Sequence, residues 1–319
     1  MYIDIFCWNV RGFNKLSHRS GFKKWLSSSK PIFGGLIETH VQQPKNVKFI
    51  NNLFPGWLFD DNYEFSTLGK IWIVWHPSVK VQIITKSLQM ISCEVTLPGS
   101  DSSMIFSFIY AANLEVLRNE LWEELISLST DTRVVGKAWA VLGDFNQVLH
   151  PNEHSSLDGF TVDRATRDFR QALLNSELAD LNFRGSTYTW WNKRSVNPVA
   201  KKLDRVLVND LWLEIFPTAM AFFGAPDFSD HSSTSIALSP STQRQKKAFK
   251  FYNYLLENPD FIAVICSEWF SLNFVGSDMF RVSKKLKALK KTIRDLVERT
   301  TPGWKKESMK LISYCWIDR

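Results

Sequence analysis

Ten short apolar runs, rich in β-branched and aromatic residues, cross the first 240 residues of this 319-residue chain. They are YIDIFCW (2–8), GGLIE (34–38), GKIWIVW (69–75), VKVQIIT (79–85), MISCEVTL (90–97), MIFSFIY (104–110), AWAVLGD (138–144), TYTWWN (187–192), KKLDRVLV (201–208) and SSTSIAL (232–238). Many alternate with a period of two and some are apolar throughout, the pattern of strands with one or both faces covered. Adjacent runs follow too closely for a simple alternation of strand and helix. Helical periodicity appears at 115–128, with Leu117, Leu121, Leu125 and Leu128 on one face. It appears again at 163–181, with Asp163 as N-cap and Phe169, Leu173, Leu174 and Leu178 on one face, and in shorter form at 19–28 and 45–54. The expected class is α/β: a two-sheet sandwich with helices on its outer faces, followed by a helical C-terminal tail.

The charge is unevenly placed. Residues 241–319 hold 16 Lys and Arg against 8 Asp and Glu, leaving 23 and 24 for residues 1–240. A polar, basic seam, SPSTQRQKKA (239–248), separates the two parts, so 1–240 is expected to be one domain and 241–319 a basic helical linker or tail. In the tail Leu286, Leu289, Ile293 and Leu296 step by three and four, with Lys284, Lys285, Lys287, Lys290 and Lys291 around them. These lysines suit either DNA phosphates or plain solvent, and the pattern does not separate the two. Cys7, Cys93, Cys266 and Cys315 are scattered, which excludes a disulfide framework and a zinc site and points to a reducing compartment. The opening MYIDIFCWNVRG carries Asp4 and does not read as a secretory leader, and no apolar run approaches a membrane span.

Many of the runs end on the same kinds of polar residue. CWN ends at Asn9, GGLIE at Glu38, FIYAAN presents Tyr110 and Asn113, and LGDFN offers Asp144 and Asn146. Thr189 lies in YTWWN, Asp204 within KLDRV, and Ser229, Asp230 and His231 in FSDHSS. Each alone is more often a turn former, an exposed acid or a core residue. Together they describe chemistry. Asp204 sits among Leu203, Val206 and Val208, and a buried carboxylate needs a partner that His231 can supply. Glu38, Asp144 and Asp230 would form an oxygen-rich cluster suited to Mg²⁺ or Mn²⁺. A hard metal, an Asp–His pair, amide donors and a Tyr hydroxyl are what hydrolysis of a phosphate ester requires.

The order of Asn9, Glu38, Tyr110, GDFN, Asp204 and SDH resembles the endonuclease/exonuclease/phosphatase superfamily, whose fold is a two-sheet α/β sandwich. Within it, LIETH, IWIVWHPSV, YTWWN, LDRVLVN and the wide use of Trp resemble the apurinic-like endonuclease domain of plant LINE-type (non-LTR) retrotransposons. The likeness covers about residues 1–240, and AFKFYNYLLENPDF (248–261) resembles the linker that follows this nuclease, without the reverse transcriptase beyond it.

The resemblance implies roles. Glu38 would bind the metal with Asn9 beside it and Asp230 close by. Asp144 would handle the proton of the attacking water or the leaving oxygen, with Asn146 orienting that group. Tyr110 would donate to phosphate oxygens, and His231, oriented by Asp204, would bind the scissile phosphate. Thr189, Ser229 and Asn113 would be supports. One departure stands out: repair-type relatives often carry an acid two positions after the Asn, where this chain has Arg11. The implied activity is metal-dependent nicking of DNA in the nucleus of the cell. A phosphatase or phosphodiesterase of a small molecule or lipid head group, and an inactive nucleic-acid-binding remnant, are the competing readings.

Overall fold

The computed structural model describes residues 3–156, 163–238 and 259–274, together with 281–282, 284–286, 288–289 and 292–293. The chain divides into two units, Met1–Arg244 and Gln245–Arg319.

In the first unit, the expected two sheets form. One has seven strands in the order β10-β14-β15-β1-β2-β4-β3. These are β1 (Ile3–Asn9), β2 (Phe33–Ile37), β3 (Leu58–Asp61), β4 (Ile71–Trp75), β10 (Phe183–Gly185), β14 (Ala221–Phe223) and β15 (Thr234–Leu238). The other, ordered β5-β6-β7-β8-β13-β9, contains β5 (Lys80–Lys86), β6 (Met90–Thr96), β7 (Met104–Tyr110), β8 (Trp139–Asp144), β9 (Ala179–Asp180) and β13 (Asp204–Val208). β11 (Trp190–Trp191) and β12 (Ala200–Lys201) make a separate hairpin.

Period-two alternation builds the layers. Ile5 and Cys7 of β1 face the second sheet and meet Phe106, Phe108 and Val206, while Phe6 and Trp8 face outward. On that outer face α1 (Leu16–Ser29) and α2 (Gln43–Leu53) cover the sheet through Phe22, Ile50 and Leu53. On the far side α3 (Glu115–Ser129) and α4 (Arg164–Asn175) cover Ile105, Ile109, Trp139 and Val141. Trp122 of α3 stacks on Phe169 of α4 at 4.4 Å between ring centroids. Each such side chain contributes about 1.5–3 kcal/mol by leaving water, so both outer interfaces stabilise their sheets substantially.

Several details differ from the sequence reading. Leu117 and Leu174 are exposed, so each helical face is one residue narrower than its spacing suggests. The 163–181 helix stops at Asn175. Glu177 takes a left-handed φ of 54°, Leu178 N–H donates to the Leu173 carbonyl at 3.0 Å, and Glu177 N–H to that of Leu174. This closing turn turns Leu178 back toward the same core as Leu173. TYTWWN contributes only Trp190 and Trp191 as strand, and KKLDRVLV breaks into β12 and β13. β3, β9, β10 and β14 have two to four residues each, too few to show a period.

In the second unit α5 (Phe261–Ser271) packs Phe261, Val264 and Ile265 with Ile293. Leu289 is buried as expected, but Leu286 is exposed. The 239–248 seam, Lys287, Lys290, Lys291 and Leu296 lie outside the described residues, as does most of 248–261. Among the described residues no helix is long and apolar enough to cross a membrane.

Candidate active site

LGDFN is a strand end whose geometry is set by a glycine. Gly143 has φ 147°, and a β-carbon there would overlap the Ile109 carbonyl of β7. Its absence lets β8 run beside β7 in the register that pairs Tyr110 with Asp144, while β13 pairs Asp204 with Asp144 from the other side. One rung of the sheet therefore carries Tyr110, Asp144 and Asp204. The turn that follows is held by Asn146, at φ 47°, whose N–H donates to Asp144 Oδ1 at 2.9 Å. Its Nδ2 donates to the Ala111 carbonyl at 2.7 Å.

The facing sheet delivers the remaining groups. Asn9 closes β1, and Glu38 follows β2 in a left-handed φ of 55°. That conformation costs a non-glycine residue about 1–3 kcal/mol and is held because neighbours over-determine it. Glu38 N–H donates to the Lys70 carbonyl at 2.7 Å, and Gly12 N–H donates to the Glu38 carbonyl at 2.8 Å. Asn9 Nδ2 links the two sheets, donating to Glu38 Oε2 at 2.9 Å and Asp144 Oδ2 at 3.0 Å. His231 Nδ1 lies 2.9 Å from Asp204 Oδ2, and its Nε2 lies 3.7 Å from Asp144 Oδ2. Asp204, His231, Asp144, Asn9 and Glu38 are all buried.

Behind them stand the supports. Thr189 Oγ1 accepts from the N–H groups of Leu203 and Asp204 and so fixes the start of β13. Ser229 donates to the Asn9 carbonyl at 2.7 Å and accepts from His231 N–H at 3.1 Å. Trp8 Nε1 donates to the His231 carbonyl. Asp230 sits at the edge of this group: Oδ2 accepts from Trp190 Nε1 at 3.2 Å, and Oδ1 is buried without a hydrogen-bond partner. Asn113 is exposed ahead of α3. Of the tail lysines, Lys284 is exposed, whereas Lys285 is half-buried and donates to the Trp269 carbonyl, with its ammonium 5.2 Å from the Trp269 ring centroid.

The electrostatics follow from burial and proximity. Burial alone would lower the His231 pKa, but Asp204 and Asp144 outweigh it and raise the value to about 9, so the ring is an imidazolium at neutral pH. Burial raises Asp144 to about 6; His231 pulls it down and Asp204 pushes it up. Burial, then the charges of Glu38 and Asp144, push the Tyr110 phenol up, so it remains a hydrogen-bond donor.

The donor set fits a hard divalent ion. Among the described residues, ligand atoms of Glu38, Asp144 and His231 lie within 4.8 Å of one another. A His231 that is protonated and committed to Asp204 is a cation, leaving the two carboxylates and the neighbouring oxygen of Asn9 or Asp230 as ligands. In the sequence Arg11 stands out only as a departure, and neither His40 nor Trp190 is marked by the strand-end pattern. Arg11 Nη1 touches Glu38 Oε1 at 2.9 Å and His40 Nε2 lies 3.5 Å from the same atom. A strand-end pattern carries no sign of either.

Two sheets covered by outer helices thus meet over a buried acid–amide–imidazolium cluster, the architecture of a two-sheet α/β sandwich. Residues 6–231 match the model of the Endonuclease/Exonuclease/phosphatase family, and the chain belongs to that family. Its members are hydrolases, nucleases and phosphatases among them, that generally use a divalent metal. No protein of curated function matches the sequence. Among the solved structures that share the fold are three. The endonuclease domain of TRAS1, a telomere-specific non-LTR retrotransposon, is 12% identical with a TM-score of 0.57, over 73% of this chain and 97% of that one. AP endonuclease LMAP from Leishmania major is 15% identical with a TM-score of 0.58, over 74% and 87%. D. rerio TDP2 complexed with single strand DNA product is 16% identical with a TM-score of 0.51, over 74% and 98%.

Proposed function

We propose that this protein is a divalent-metal-dependent endonuclease that nicks DNA in the manner of a retroelement target-site nuclease, acting in the nucleus. The observation that carries the reading is the unbroken polar chain from Asp204 through His231, Asp144 and Asn9 to Glu38. The β11–β12 hairpin supports DNA over a small ester. Trp190 pairs with His231 in an isolated bridge, and exposed Tyr188, Trp191, Lys193 and Arg194 extend from that anchor. Aromatic faces and cations side by side suit bases and phosphates. The motifs shared with LINE-type nucleases and the likeness to the TRAS1 domain point the same way.

A phosphodiester resists hydrolysis because its anionic oxygens repel an incoming hydroxide. Glu38, Asp144 and the neighbouring Asn9 or Asp230 oxygens would hold a divalent ion, which would supply charge neutralisation at the phosphate and the leaving 3′ oxygen. The chain's own groups do the rest. His231, kept protonated by Asp204, places positive charge at the non-bridging oxygens. Tyr110 donates a hydrogen bond to them. Asp144 takes the proton of the attacking water. Asn146 orients the same water through its amide.

Loss of one preorganised charge or donor costs on the order of 10²–10³ in turnover. Asp144→Ala and His231→Ala should each lower supercoiled-plasmid nicking in Mg²⁺ by that factor while circular dichroism stays that of the folded protein. Wild-type-like nicking by His231→Ala would remove its assigned role. Rapid hydrolysis of a soluble phosphomonoester beside an intact plasmid would make the protein a phosphatase instead.

A further inference from the structure

Arg11 occupies an unexpected position for a cation. Its Nη1 donates to both oxygens of Glu38, at 2.9 and 3.1 Å, and its Nε lies 3.5 Å from Asp230 Oδ2. Glu38 Oε2 also accepts from Asn9, and Oε1 lies 3.5 Å from His40 Nε2. Three hydrogen bonds from Arg11 and Asn9 thus occupy this buried carboxylate, with His40 at its edge. A divalent ion on Glu38 competes for these lone pairs, and its charge repels the guanidinium already bound there. Asn9 is buried and also holds Asp144, and its Oδ1 accepts from Arg11 N–H at 3.1 Å. Of the two donors hydrogen-bonded to Glu38, Arg11 is the one free to go. Its side chain is 49% exposed, and its backbone is anchored independently of the guanidinium.

We infer that Arg11 is a positioning residue that stands in for the metal on Glu38 and Asp230, is displaced when a divalent ion binds Glu38, and then turns to a phosphate of the bound nucleic acid. This rests on the reading of Glu38 as a metal ligand. A guanidinium already aligned with two acids offsets part of their charge without metal. Once released beside a doubly charged ion, it is repelled toward the nearest anion, which in a nuclease is substrate. Metal and DNA then favour one another through a single side chain, and that coupling is reciprocal.

The test is a Mn²⁺ titration of the full chain, followed by the electron paramagnetic resonance signal of free Mn²⁺, with Arg11→Met and Arg11→Lys as variants. Removing the competitor should tighten Mn²⁺ binding about tenfold in Arg11→Met. Arg11→Lys, which keeps the charge but not the two-oxygen grip, should show a smaller gain. In Ca²⁺, which holds the site without rapid turnover, a duplex oligonucleotide should bind wild type more tightly than it does in EDTA, and Arg11→Met should lose most of that enhancement. Unchanged or weaker Mn²⁺ binding in both variants, each with a cooperative thermal transition, overturns the competition. A full Ca²⁺ enhancement in Arg11→Met overturns the handover to phosphate. The titration reads the competition whether or not plasmid is cut, so a protein that binds Mn²⁺ and leaves plasmid intact would count against the nuclease reading alone.

Discussion

His231 shows how one residue sets a pH window. Its ordinary pKa of 6.5 is raised to about 9 in the fold, against the lowering effect of burial, by Asp204 and Asp144. A raised imidazole contributes stability that is fully present below the unfolded value and is lost as pH rises through the folded one. In EDTA, unfolding free energy should therefore fall between pH 6.5 and 9, by roughly 3 kcal/mol from this group. Asp204→Asn should flatten most of that decline in urea melts across the range. A wild-type slope in Asp204→Asn would mean that the imidazolium is held by other groups. Asp144 runs in the same direction at lower pH: a carboxyl raised from 3.8 to about 6 costs stability as it ionises, consistent with strain stored at a site that gains its compensation from a bound cation.

Two elements decide whether these groups meet. β8 can lie against β7 only because position 143 has no β-carbon. Gly143→Ala should cost at least about 2 kcal/mol in urea unfolding and displace Asp144, because both the φ of 147° and the Ile109 carbonyl oppose a methyl group. Unaltered stability there would show that β7 and β8 tolerate a wider gap. The end of α4 makes a second case. Leu178 turns back into the core through its hydrogen bond to Leu173, whereas Leu174 faces water. Leu178→Ala should cost about 2–4 kcal/mol and Leu174→Ala under about 0.5. The sequence pattern puts both on one buried face, since periodicity cannot see a helix ending between them.

For the whole molecule, the question is where a polyanion lies. The basic excess in composition belongs to residues 241–319, where Lys285 is turned onto Trp269 and Lys284 is exposed, whereas the groups next to His231 belong to the β11–β12 hairpin. DNA affinity should therefore depend on Lys193 and Arg194. Substituting each by Gln should reduce the slope of log K against log salt by about 1, the release associated with one phosphate contact. An unchanged slope in both variants would move the DNA path off the hairpin.

The sandwich itself was legible in the residues. Period-two runs such as YIDIFCW specify which side chains face the other sheet, because a one-residue slip would expose the whole apolar set. Strand ends rich in Asn, Asp, Glu and His stand out in the chain as candidates for one polar cluster. What only the tertiary structure decided is the partnership among them: that Asn9 bridges Glu38 and Asp144, that Asp230 faces Trp190 and Arg11, and that Arg11 lies on Glu38. Local patterning fixes the direction of a side chain relative to its own strand. Contacts between residues 29 or 135 positions apart depend on how two sheets stack and on left-handed turns such as that at Glu38, and no short-range signal in the chain encodes those.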